Sequence, residues 1–196
     1  MAGCIITIDA MGTQTAIASQ IFNAKADYVL GFKGNHPTLY GQVKNWFEQQ
    51  LSQGFKGIIH SYDKRVEKGH HRTEKRQIWC VPISQQQTLH NQDNWVGLKC
   101  VVMLVRVPDV SNKTTREVQF YLTSLNCDAH KLGQLIRLHW GVEIGLHWTL
   151  DVIFSEDACR VRTSHDPQNL EDVLKVEVSY KSCKSPDHDT YHCNID

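Results

Sequence analysis

The most constraining feature of this chain is a strand, a helix and a second strand packed into its first 32 residues. Cys4-Ile5-Ile6-Thr7-Ile8-Asp9 is a short apolar run rich in β-branched residues, which reads as a buried strand ending at a carboxylate. Thr13 is placed to cap a helix over about Gln14 to Lys25, with Ala16, Ile17, Ile21, Phe22 and Ala24 at helical spacing. Tyr28-Val29-Leu30-Gly31-Phe32 is a second apolar strand that ends at Lys33-Gly34-Asn35. Two strands joined by one helix in so short a span pair in parallel, as a right-handed βαβ unit. The fold class is therefore α/β.

Pro37 opens a further helix running to about Gln53, with Leu39, Val43, Trp46, Phe47 and Leu51 on one face. From about Ile58 to Leu125 the pattern changes to alternating runs at 72–81, 99–107 and 117–122. Turn-rich pieces such as Asp109-Val110-Ser111-Asn112-Lys113 separate them, as in an antiparallel β insertion. Asp128 then reads as the N-cap of a long amphipathic helix over about Ala129 to Val152. Beyond about Leu174 the periodicity decays, and 175–196 reads as a disordered tail.

Lysine plus arginine equal aspartate plus glutamate, so the formal net charge is zero. A strongly basic nucleic-acid binder is excluded, and any DNA contact has to come from local patches. The seven cysteines are scattered and form no Cys-x-x-Cys pair; with no secretory-type leader they read as reduced thiols of a cytoplasmic protein. No apolar run has the length of a membrane span.

Asp9 stands where a parallel strand ends, the usual place for functional groups in open α/β sheets. An aspartate there equally well caps the turn that follows. On the long helix, His139, Glu143, His147 and Asp151 recur at four-residue steps along one face. That ladder is open to three readings. It can be a solvated polar face, or a zinc-type site lacking obvious partners. It can also bring a helix carboxylate to Asp9, since two-metal phosphoryl transfer needs carboxylates from different elements and normally a third acid.

Several of these segments carry a resemblance. Thr7-Ile8-Asp9-Ala10-Met11-Gly12, Lys33-Gly34-Asn35, the run 67–76 and the run 139–157 resemble the H-repeat-associated (Rhs-linked) insertion-sequence transposases of the DDE superfamily. The match is collinear to about Leu170. It implies a ribonuclease H-like core with a β insertion before the helix that bears the last acid, so that residues 1–57 begin the core, 58–126 form the insertion and 127–174 complete the core. It also implies Mg2+ or Mn2+ held by two aspartates and one glutamate, with activated water and then a DNA 3′ hydroxyl attacking phosphodiester bonds. Asp9 matches the second aspartate and Glu143 the glutamate, as catalytic metal ligands. Related transposases carry Tyr-x-x-Arg-x-x-x-Glu around that acid; here Ile136 and His139 fill the earlier positions, which gives His139 a place near phosphate.

Two departures set further expectations. The first family aspartate belongs on a strand upstream of Asp9, so the chain is expected to lack it, together with an N-terminal DNA-binding region and about half of the core sheet. After Asn169-Leu170 the sequence turns into Lys181-Ser182-Cys183-Lys184-Ser185-Pro186, which reads as out of frame. A truncated, degenerate copy with little cleavage of its own is expected, poorly soluble alone, with transposon-end DNA as partner and a homodimer or a mixed dimer with intact transposase as its assembly. Two other classes remain open: a non-catalytic DNA-binding remnant, and a metal-binding helical protein using His139, Glu143 and His147.

Among smaller signals, Arg72, Glu74 and Arg76 alternate along one strand face beside His70 and His71. They read either as a hairpin touching phosphates or as a solvated face with a cross-strand ion pair. Lys33 at its strand end is a candidate contact to the DNA backbone. Cys183, His188, His192 and Cys193 are metal ligands in type but not in spacing.

Overall fold

The structure, a computed structural model, describes residues 2–142 apart from 70, 71, 87, 111, 112 and 115. Strand β1 (Ile5–Ile8) and strand β2 (Asp27–Phe32) flank helix α1 (Thr15–Asn23) and pair in parallel, Ile8 opposite Leu30. Helix α2 (Pro37–Gln53) follows with Pro at its start and Gly54 in the left-handed region (φ 65°) at its end. Only a residue without Cβ adopts that conformation at no steric cost, so Gly54 stops the helix there.

The remaining strands are β3 (Ser61–Gly69), β4 (Arg72–Pro82), β5 (Cys100–Val110), the two-residue β6 (Lys113–Thr114) and β7 (Glu117–Thr123). All pair antiparallel, and β7 pairs antiparallel with β2, so they extend the sheet begun by β1 and β2. The order across the sheet is β1-β2-β7-β5-β4-β3, with β6 on β5. Helix α3 begins at Ala129 and is described to Val142.

Strand side chains alternate between two faces, and here both faces are buried. Ile6, Leu30, Phe32, Val81, Met103 and Phe120 point toward α1 and α2, where Phe47 stacks on Phe120. Ile5, Val29, Ile78, Val102, Leu104 and Tyr121 point the other way, onto Leu132, Leu135 and Ile136 of α3. The result is a helix–sheet–helix sandwich. Where α3 crosses β4 the approach is tight: a Cβ on Gly133 would lie 2.4 Å from Cδ1 of Ile78.

Asp128 caps α3 as expected, its carboxylate accepting from Lys131 N at 3.0 Å. Thr13 does not cap α1. The N-cap is Gln14, without a side-chain bond, and the Thr13 hydroxyl donates back to Asp9 O at 2.8 Å. Of the set expected on the buried face of α1, Ile21 is buried and Ile17 packs against the core, joined by Ala18, while Ala16, Phe22 and Ala24 are exposed; the Phe22 ring lies beside Gly97 instead. Within the turn-rich piece 109–113 the chain reverses between β5, which runs to Val110, and β6, which starts at Lys113. No described helix is long and apolar enough to cross a membrane. The continuation of the long helix past Val142 and the tail 175–196 lie outside the described residues.

Candidate metal and nucleic-acid site

Because residues alternate, Ile5, Thr7 and Asp9 lie in one row on the α3 side of the sheet. Thr7 is buried, and its hydroxyl shares a hydrogen bond of 3.1 Å with Nδ1 of His139 on α3. One strand step further, Asp9 is exposed and marks the end of β1. Its Oδ1 accepts from the backbone N–H groups of Met11 and Gly12, both at 3.1 Å. This is the turn-capping arrangement read from the sequence, and it uses one carboxylate oxygen. A carboxylate anchored through one oxygen at a strand end suits a hard divalent cation. Among the described residues Asp9 belongs to no three-residue cluster of His, Cys, Asp or Glu, so it offers one ligand of such a site. Glu143 lies outside the described residues, as do His147 and Asp151.

The loop after Asp9 is held from β2's end by two residues to which the sequence reading gave no role. Asn35 Nδ2 donates to Ala10 O at 2.6 Å, while Asn35 Oδ1 accepts from Lys33 N at 2.9 Å. The His36 ring nitrogen Nε2 is bonded to Thr13 O at 2.9 Å. The signal available was Gly34-Asn35 after an apolar run, which marks a turn whose amide is free to bind backbone. Lys33 is exposed beside this loop, on the α3 side of the sheet like Asp9. The structure thus brings Asp9 and Lys33 to adjacent strand ends.

His139 is 8% exposed and faces the sheet. Next to it, Trp140 Nε1 donates to Tyr121 Oη at 3.4 Å, and Tyr121 Oη donates to Gln119 Oε1 at 2.7 Å. These contacts seat the described end of α3 over β1 and β7.

Arg76 is elsewhere. It lies on β4, four strands from β1, which is about 19 Å at the usual strand spacing. It is 9% exposed, and its Nε donates to Glu74 Oε1. Glu74 also accepts from Arg106 Nε at 3.2 Å and Nη2 at 3.3 Å, and Arg106 reaches Glu117 at 3.6 Å. Burial works to raise the Glu74 carboxyl, but the hydrogen bonds and charges of Arg106 and Arg76 outweigh it and hold the group below its ordinary value. Of the two readings of this strand, the cross-strand ion pair is present. The Arg72 side chain and His70 and His71 lie outside the described residues.

Comparison with known proteins identifies the family. The family model described as "Transposase DDE domain" matches residues 2–169. The chain is 33% identical over 184 residues to "Putative transposase YncI" of Escherichia coli O157:H7, covering 92% of this chain and 46% of that protein. It is 32% identical over 182 residues to "H repeat-associated putative transposase YhhI" of Escherichia coli K12, covering 90% of this chain and 47% of that protein. The chain spans about half the length of these curated relatives. No solved structure matches it. A strand-end aspartate, a helix laid across the sheet toward it and a family match over most of the sequence lead to one conclusion: the chain belongs to the transposase DDE domain family, among the H-repeat-associated transposases.

Proposed function

We propose that this chain is the C-terminal portion of a transposase that cleaves and rejoins transposon-end DNA, and that Asp9 and Glu143 are its contributions to a Mg2+ or Mn2+ centre. The observation that carries the reading is the Thr7–His139 bond. Asp9 is the next residue beyond β1 on the face that Thr7 uses, and in the sequence Glu143 follows His139 by four residues, the spacing of one helical step.

Metal ions bound there supply Lewis acidity toward a phosphoryl oxygen and lower the pKa of the attacking water. The protein's own work is positional. The Met11 and Gly12 amides hold the Asp9 carboxylate in place, Asn35 fixes the loop behind it, and Lys33 stands at the neighbouring strand end to contact a phosphate. Arg72 and Arg76, on β4 four strands away, would serve a longer stretch of DNA backbone, and Arg76 first has to leave Glu74. His139 is a positioning residue, since its ring faces the sheet.

In this reading 1–57 and 127–174 belong to a ribonuclease H-like core, the strands within 58–126 are an insertion continuous with its sheet, and 175–196 adds nothing to the centre. Asp9 and Glu143 are two of the three carboxylates such a centre uses, and the chain acts within a homodimer or beside an intact transposase. A zinc-binding helix using His139, Glu143 and His147 is disfavoured because the family match is to transposases.

The test is Mn2+ binding to the full chain, followed by electron paramagnetic resonance, together with binding to duplex DNA at several salt concentrations. Weak Mn2+ binding that is lost in both Asp9→Asn and Glu143→Gln, with salt-dependent DNA binding kept, is the expected result. Equal Mn2+ binding by wild type and both variants would sink the assignment. DNA binding without any metal binding would leave only the non-catalytic remnant.

A further inference from the structure

Away from Asp9, three cysteines that look unrelated in sequence converge. Cys80 on β4, Cys100 at the start of β5 and Cys127 in the turn before α3 place their sulfur atoms all within 4.8 Å of one another. Cys80 and Cys100 are buried and Cys127 is half-buried, so the cluster opens to the surface on the Cys127 side. Cys127 Sγ lies 3.1 Å from Cys80 O. We propose that Cys80, Cys100 and Cys127 form a binding site for a thiophilic divalent ion of the zinc class.

Geometry favours an ion over a core of three small apolar side chains. Zinc–sulfur bonds of about 2.3 Å at a tetrahedral centre put ligand sulfurs about 3.8 Å apart, so the cluster closes on an ion with shifts of less than about 1 Å per sulfur. A disulfide between the two strand cysteines fits less well. Cys80 stands opposite Val102 and Cys100 opposite Pro82, which makes them diagonal neighbours on adjacent strands. Diagonal Cα atoms are about 7–8 Å apart, at or beyond the 4.4–6.8 Å span of about every disulfide.

Binding releases three thiol protons to solvent and leaves three thiolates on one divalent cation, a centre of net charge minus one. The fourth position is open to water on the Cys127 side. The ion joins β4, β5 and the entry to α3, so its role is structural: it fixes the first turn of α3 against the strands that α3 crosses. A tetrahedral site with soft ligands also excludes the hard cations proposed for Asp9, so the two sites do not compete.

The experiment is titration of the reduced full chain with Co2+, then displacement by Zn2+, with Cys127→Ser, Cys80→Ala and a Cys183→Ser/Cys193→Ser variant alongside. The expected result is a thiolate-to-cobalt charge-transfer band that saturates at one ion per chain and is erased by Zn2+. Cys127→Ser should weaken binding by about 100-fold or more, beyond what loss of a supporting outer-shell group does. Since Cys127 is half-buried, circular dichroism of that variant should match wild type, and Cys80→Ala should agree with it. The tail variant should bind as wild type does, and Zn2+ should raise the melting temperature of wild type but not of Cys127→Ser. Absence of the band, its persistence in both cluster variants, or its loss in the tail variant would overturn the proposal.

Discussion

Replacing Glu74 by Gln removes a negative charge lying between two arginines. Arg76 and Arg106 stand directly opposite each other on β4 and β5, so their guanidinium groups are crowded on one face. Their side chains are 10% and 18% exposed, which places them nearer to protein than to water. For two positive charges about 6 Å apart, Coulomb's law gives about 3 kcal/mol at an effective dielectric of about 20, and under about 1 kcal/mol in bulk water. With Glu74 present this repulsion is offset; with Gln it is not, although Glu117 still reaches Arg106. The expected loss at neutral pH is about 2 kcal/mol. With a urea slope of about 2 kcal/mol/M, the denaturation midpoint should fall by about 1 M.

The pH dependence has a definite sign. The folded-state carboxyl of Glu74 titrates below its ordinary value of 4.5, so its stabilisation is complete above that pH and disappears as the pH falls through the lower, folded value. Wild type and Glu74→Gln should therefore differ clearly at pH 7 and converge only as the pH falls below 4.5 and through the lower, folded value. Urea melts of both proteins across that range provide the measurement. A variant as stable as wild type at pH 7, or a gap that stays constant with falling pH, would refute the reasoning.

Two further substitutions probe packing and the site loop. Gly133→Ala should destabilise by about 1–2 kcal/mol, since overpacking costs about 1–3 kcal/mol and better helix propensity returns at most about 1. Adding Ile78→Val removes the Cδ1 that the new methyl meets, so a double-mutant cycle should show coupling, and simple additivity would contradict the contact. Asn35→Ala removes two hydrogen bonds at an exposed loop, for about 1 kcal/mol or less. Its clearer effect should be faster amide exchange at Met11 and Gly12 and weaker Mn2+ binding; unchanged exchange would mean that the loop is held by other contacts.

Much of the sheet was legible because burial on two faces writes apolar runs into β1 and β2, while alternation marks 72–81, 99–107 and 117–122. Strand β3 escaped the sequence reading for the opposite reason. Ser-Tyr-Asp-Lys-Arg-Val-Glu-Lys-Gly alternates, but Tyr62 and Val66 are 46% and 50% exposed, and the strand exists through its pairing with β4 at the sheet edge. Asp9 and the four-residue ladder on the long helix could be read directly, but the direction in which α3 crosses the sheet could not. That direction depends on Gly133 meeting Ile78, Trp140 meeting Tyr121 and His139 meeting Thr7, contacts between residues far apart in the chain. The cysteine cluster was invisible for the same reason: its members come from three elements, and no local spacing marks them.

The position of β2 also governs the order in which the molecule can be built. Its neighbour β1 is made just before it, but its other neighbour, β7, reaches it through Tyr28 and Ser124, 96 residues apart, and His139 reaches Thr7 only across 132. As a ribosome extends the chain, β1, α1 and β2 emerge early with one strand edge unpaired and one apolar face uncovered. They stay so until β7 and α3 follow. Closing so long a span is slow, and unpaired edges invite association with other nascent chains in the meantime. The strand that leads to Asp9 is thus made well before the strand and helix that lock it in place.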